Sequence, residues 1–220
     1  MLAILNSPEF ISILQIIAID IVLGGDNAIV IALACKNLPE KHRKIGILYG
    51  ALGAIILRVI MVSFAMVLYN IEFLKIIGGI MLLWIGIKLC LDNKEHTINV
   101  KQESKLFNAV KTIIIADLVM SLDNSIAIAA AAKGNIYIVI FGLLLSIPII
   151  IWGSKFILKL IDKFPLIIYL GAFLLGWIGG EMIQTDIYTI NELGINNWFS
   201  FAGGFVVLIY SYIHINLFSK

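Results

Sequence analysis

The amino-acid sequence predicts an all-α polytopic membrane protein: seven transmembrane helices, built as two inverted three-helix repeats plus a C-terminal helix. Three observations carry that expectation. Apolar runs long enough to cross a bilayer, about 20 helical residues each, recur along the chain. Lys and Arg gather on one side of those runs. A 21-residue segment is written twice, as IIAIDIVLGGDNAIVIALACK at 16–36 and IIIADLVMSLDNSIAIAAAAK at 113–133, and the 11 identities include Asp20/Asp117, Asp26/Asp123 and Asn27/Asn124.

With 61% apolar residues, 14% charged residues and a mean hydropathy of +1.03, the composition excludes a water-soluble domain. Continuous apolar runs without strict alternation indicate helices rather than a barrel. The expected spans are 8–35, 45–69, 71–91, 109–132, 135–160, 165–184 and 197–218. The first follows MLAILNSPEF, which has no Lys or Arg and so lacks the basic region of a cleaved signal peptide. That stretch is expected to remain as a span. The second span carries Gly46, Gly50 and Gly53 on one side, suited to close helix packing, and Arg58 in its interior. Pro148 in the fifth span is expected to kink it. The seventh, with Trp198, Tyr210 and Tyr212 near its ends, has no duplicate and is expected to buttress the bundle.

Orientation follows from the basic residues. One side receives Lys36, Lys41, Arg43, Lys44, Lys88, Lys94, Lys101, Lys105, Lys111, Lys155, Lys159, Lys163 and Lys220, which is 13 of 16. Lys75 and Lys133 fall on the other, with Arg58 inside span 2. The N-terminus is therefore expected outside and the C-terminus in the cytoplasm of a bacterial inner membrane. The net charge of +2 reflects this anchoring and gives no reason to invoke nucleic acid.

The repeat extends beyond the doubled segment. LKIIGGIMLLWIG (74–86) aligns with IIYLGAFLLGWIG (167–179) through Gly78/Gly171, Leu82/Leu175 and Trp84-Ile85-Gly86/Trp177-Ile178-Gly179; the middle spans align poorly. The chain divides into a first three-helix repeat at 1–91, a cytoplasmic linker at 92–108, a second repeat at 109–184, and an outer loop with the seventh helix at 185–220. Three spans per unit is an odd number, so the second unit enters the membrane from the opposite side. Transporters use this plan, with the substrate near the midplane between the units.

Carboxylates inside apolar spans are costly and rarely lack a task. Asp20, Asp26, Asn27, Asp117, Asp123 and Asn124 are therefore the candidate cation-binding residues, and Arg58 a candidate countercharge. On an unbroken helix Asp20 and Asn27 share a face, whereas Asp26 points about 120° away from Asp20. A break at Gly24-Gly25 would bring them together and free backbone carbonyls; the alternative is close packing at the two glycines. The matching positions in span 4 are Ser121-Leu122. Oxygen donors suit Mn²⁺, Mg²⁺ or Ca²⁺ better than Cu⁺ or Zn²⁺. The softer groups stand elsewhere: Cys35 and Cys90 at span ends as ordinary thiols, His42 and His96 in loops, His214 near the C-terminus, and Met120 as packing. Glu181 is expected at the interface, and Glu72, Asp186 and Glu192 in solvent. No nucleophile–base pair, HExxH or phosphate loop is present, so neither catalysis nor a resident cofactor is expected.

GGDNAIVIALA (24–34) and ADLVMSLDNSIAIAAAA (116–132), in a chain of this length with seven expected spans, resemble the TerC family of integral membrane proteins, and in particular its short bacterial branch, often under manganese-responsive riboswitches. The resemblance covers nearly the whole chain. It implies a manganese exporter related to the lysine-exporter superfamily, with Asp20, Asp26, Asn27, Asp117, Asp123 and Asn124 at the metal site. Gly24-Gly25 depart from the Ser that many relatives carry before the first Asp-Asn. The expected function is secondary export of a divalent metal, Mn²⁺ first, by alternating access, with proton uptake by Asp20 or Asp117 assisting release. Competing readings are export of Ca²⁺ or of a cationic amino acid, and a membrane scaffold that assists metalation of secreted proteins. Expected partners are the metal ion, the bilayer and a second copy of the chain.

Overall fold

A computed structural model describes residues 7–91, 102–193 and 198–218. The stretch 92–101, with Lys94, His96 and Lys101, and also Lys220, lie outside the described residues. The chain forms α1 (Pro8–Leu23), α2 (Gly25–Cys35), α3 (Glu40–Tyr69), α4 (Leu74–Leu91), α5 (Gln102–Ala132), α6 (Ile136–Lys163), α7 (Leu166–Gln184), the short α8 (Ile187–Leu193) and α9 (Trp198–Phe218). No strand is present among the described residues.

Helices α3 to α7 are each long and apolar enough to span a bilayer, and α1 with α2 makes a sixth span, bent by 53°. Trp198–His214 within α9 is apolar but shorter. The protein is thus an all-α polytopic membrane protein. Its ends follow local chemistry. Ser7 caps α1 by accepting from the Phe10 amide at 3.2 Å, with Pro8 in the first turn. Lys133 and Gly134, both at positive φ, turn the chain from α5 into α6, where Asn135 accepts from the Tyr137 amide at 3.0 Å. Helix α5 begins at Gln102, inside the stretch assigned to the linker, and α3 begins at Glu40, so His42 sits on a helix rather than in a loop. Helix α6 runs through Pro148 as one element.

Close glycine contacts set the register of the two units. Helix α4 packs on α7, and there Gly79 meets the carbonyl of Gly179 while Gly86 approaches that of Ala172. In the sequence alignment Gly79 corresponds to Ala172 and Gly86 to Gly179. The crossing is therefore its own image when the units are exchanged, as inverted repeats require. Helix α3 packs on α5, where a Cβ at Gly50 would come within 2.6 Å of Ile113; α6 packs on α1, where a Cβ at Gly142 would come within 2.6 Å of Ile16. Ile16 and Ile113 are duplicates, so Gly50 matches Gly142 and the middle spans acquire the register their sequences withheld. Arg58 then corresponds to Ile150, and Ala54 to Ser146. Helix α9 packs on α7 through Gly176, Gly180 and Gly203, and on α4 where Gly86 faces Val207, as expected of a buttress.

Several side chains read as solvent or topology markers are structural. Asp186, expected in solvent, is 1% exposed and accepts from the amides of Phe73 and Lys75 at 3.2 Å and of Tyr188 at 3.0 Å, joining the start of α4 to the start of α8. Its carboxylate sits at two helix N-termini, where negative charge is favoured. Lys36 is buried and donates to the Leu89 carbonyl at 2.5 Å, at the C-terminal end of α4. Cys35 and Cys90 are free, buried thiols.

Candidate cation site

The doubled segments meet at the centre of the bundle. Arg58, 2% exposed on α3, donates from Nη1 to Asp20 on α1 and from Nη2 to Asp117 on α5. Its Nε donates to Ser121 Oγ at 3.1 Å, and Ser121 Oγ donates to Asp117 Oδ2 at 3.2 Å. Ser146 on α6 donates to the remaining oxygen of Asp20. The planar guanidinium fork thus bridges the first aspartate of both units, an arrangement a lysine ammonium cannot copy. One Arg against two carboxylates leaves this buried triad acidic. Such a triad persists in an apolar interior because serine hydroxyls satisfy the oxygens that Arg58 does not reach.

The second aspartates fare differently. Asp123, whose side chain is 43% exposed, pairs through Oδ1 with the ammonium of Lys75, a buried residue in the first turn of α4. Asp26 has no such partner: its Oδ1 is buried without a hydrogen bond, and so are both side-chain polar atoms of Asn27. Buried polar groups are nearly always satisfied, so three unpaired atoms on adjacent residues mark a place suited to a ligand. The asparagines diverge too, since Asn124 Nδ2 donates to the Leu23 carbonyl at 3.1 Å and ties the second motif to the broken end of α1.

The break at Gly24 is present. A Cβ there would strike the Asp20 carbonyl and come within 2.8 Å of Asn27 Nδ2, whereas a Cβ at Gly25 would meet nothing within 4 Å. Gly24 is the residue the bend needs; Gly25 merely accompanies it. Asp26 lies in the first turn of α2, just past the bend.

The structure therefore brings together Asp20, Asp117 and Arg58, and joins Asn124 to the first motif, while Asp123 is held by Lys75. No three His, Cys, Asp or Glu side chains gather as a ready-made metal centre among the described residues. The donors available at the first motif are a carboxylate oxygen, an amide oxygen and the carbonyls of a helix break, which is hard-cation chemistry. Met120 is buried in the apolar core, and Glu181 is exposed. Sequence reasoning missed Lys75 and Ser146. Lys75 stands beside Ile168 in the aligned third spans, and that exchange of a charge for an apolar residue was the available signal. Ser146 had none.

Similarity to known proteins agrees with this architecture. The chain is 48% identical over 176 residues to the uncharacterized membrane protein YjbE of Bacillus subtilis, covering 80% of each. It is 31% identical over 160 residues to the uncharacterized membrane protein YceF of the same organism, covering 69% of this chain and 62% of that one. A UPF0053 protein of Haemophilus influenzae is 26% identical over 222 residues, covering 92% of each. No solved structure matches. The profile described as integral membrane protein TerC family matches residues 5–220, and the chain belongs to that family.

Proposed function

We propose that this protein is a secondary transporter, not an enzyme, that exports a divalent metal ion, Mn²⁺ first, from the cytoplasm of a bacterial inner membrane. The observation that carries the reading is the charge balance of the duplicated aspartates. Among the described residues, Asp20, Asp26, Asp117 and Asp123 have Arg58 and Lys75 as their basic partners. When all six groups are charged, the deficit is that of one divalent cation. Two unit charges about 4 Å apart interact by about 4 kcal/mol at an effective dielectric of 20, so an uncompensated carboxylate here draws a cation strongly. The same acidity disfavours an anionic substrate.

Asp26, Asn27 and the carbonyls at the Gly24 bend receive the ion first. Asp20 and Asp117 are held by Arg58 in this conformation, and Arg58 acts as the countercharge that returns when the ion leaves. Alternating access follows from rocking of the inverted units about the crossing of α4 with α7 and of α3 with α5. In this reading the N-terminus is outside and the C-terminus in the cytoplasm, which the one-sided distribution of basic residues supports. Protonation of Asp20 or Asp117 assists release.

The test is Mn²⁺ uptake into inverted membrane vesicles by wild type, Asp26→Ala and Asp123→Ala at matched amounts of folded protein. Uptake by wild type with at least a tenfold loss in both variants supports the reading. Normal uptake by both variants removes the site, and no Mn²⁺ movement by folded wild type removes the exporter. Competition by Ca²⁺ and by lysine in the same vesicles decides between the cations.

A further inference from the structure

Lys75 stands where the two half-sites differ most. Its backbone amide donates to Asp186 Oδ2 at 3.2 Å, and Asp186 is itself fixed by the amides of Phe73 and Tyr188. The start of α4 is thereby anchored to the α7–α8 junction, and the buried Lys75 side chain extends from this anchor to Asp123. Asp123 is the duplicate of Asp26, whose Oδ1 is buried and unpartnered. Lys75 is the duplicate of Ile168, a buried residue that offers Asp26 no charge. A primary ammonium is a compact, strongly hydrated point charge, and to a carboxylate it presents what a small hard cation presents.

We propose that Lys75 is a tethered cation held at the second half-site, so that a divalent ion binding the Asp123 carboxylate competes with the Lys75 ammonium for it. This rests on the divalent-cation reading above and adds an order of events to it. The ion lands on the open half-site at Asp26 and Asn27, then competes with Lys75 for Asp123. Return of the ammonium to Asp123 lowers the ion's hold and favours release. The affinity measured from outside is the intrinsic affinity reduced by the fraction of molecules in which Lys75 holds Asp123. A salt bridge that only braces α4 against α5 makes the opposite forecast, because its loss loosens the site.

The experiment is Mn²⁺ binding to the purified full chain in detergent, with free Mn²⁺ read by electron paramagnetic resonance. Lys75→Met is expected to bind Mn²⁺ at least tenfold more tightly than wild type, Lys75→Arg within about threefold of it, and the gain to vanish in Lys75→Met with Asp123→Asn. In vesicles Lys75→Met is expected to lower both KM and the maximal rate. Wild-type protein supplies a second measurement that does not depend on how the variants fold. Acylation of Lys75 by an amine reagent, quantified by mass spectrometry, is expected to rise when Mn²⁺ is added. Unchanged or weaker binding by folded Lys75→Met, or no change in Lys75 acylation on saturating Mn²⁺, overturns the proposal while leaving the exporter reading in place. A wild type that binds no Mn²⁺ removes both.

Discussion

The first unit breaks where the second runs on. Residues 16–36 divide into α1 and α2 at a 53° bend, whereas 113–133 lie largely within the unbroken α5. Eleven shared residues do not make the two copies equivalent, because their flanking chemistry differs. Gly24 opens a bend in one; Ser121, at the same position in the other, spends its hydroxyl on Asp117 and Arg58. Among the described residues, the basic partners of Asp20, Asp117 and Asp123, Arg58 and Lys75, come from the first unit, and their counterparts are Ile150 and Ile168. Duplication supplied two identical Asp-Asn pairs, and divergence around them left one satisfied and one open. On the exporter reading proposed above, that asymmetry sets the order in which the half-sites fill.

The comparison can be broken most severely at Arg58. Arg58→Ala leaves Asp20 and Asp117 buried and facing each other, and removal of one member of a buried ion pair costs about 3–5 kcal/mol. A large fall in detergent melting temperature is expected. Arg58→Lys should recover only part of it, because one ammonium cannot span both carboxylates.

Next in size is the bend. Gly24→Ala must push aside the Asp20 carbonyl and the Asn27 amide, at an expected cost of about 1–3 kcal/mol. Gly25→Ala meets open space and should change stability by less than about 0.5 kcal/mol. Equal melting temperatures for the two variants would remove Gly24 as the hinge.

A similar contrast tests the inverted register. Gly79→Ala drives a methyl into the Gly179 carbonyl, while Gly86→Ala approaches Ala172 O at 3.2 Å, which a few tenths of an ångström relieve. Gly79→Ala should be the more damaging by about 1 kcal/mol or more.

The smallest effect separates the asparagines. Asn124→Ala removes the bond to Leu23 O and should cost about 1 kcal/mol of stability. Asn27→Ala removes atoms that make no bond, so it should leave melting unchanged or raised and weaken Mn²⁺ binding instead. A stability loss at Asn27 larger than at Asn124 would reverse the assignment of open and satisfied half-sites.

Much of this was legible in the chain. Apolar runs of spanning length, one-sided basic residues and the doubled Asp-Asn segment determined the membrane class, the helical architecture and the central residues, because each depends on composition or local spacing. Glycines before Asp26 pointed to a bend for a local reason as well. The register of α3 against α6 was not legible, since Gly50 and Gly142 declare themselves only by what presses on them, namely Ile113 and Ile16. Nor could sequence say that Arg58 reaches two aspartates from two other helices, that Lys75 folds inward to Asp123, or that Asp186 is buried at two helix starts. Those are contacts between residues from 38 to more than 100 positions apart in the chain. Charge in an apolar span announces that a partner exists, and the sequence determined that much by itself. Which partner answers depends on which helix faces it, and only tertiary packing decided that.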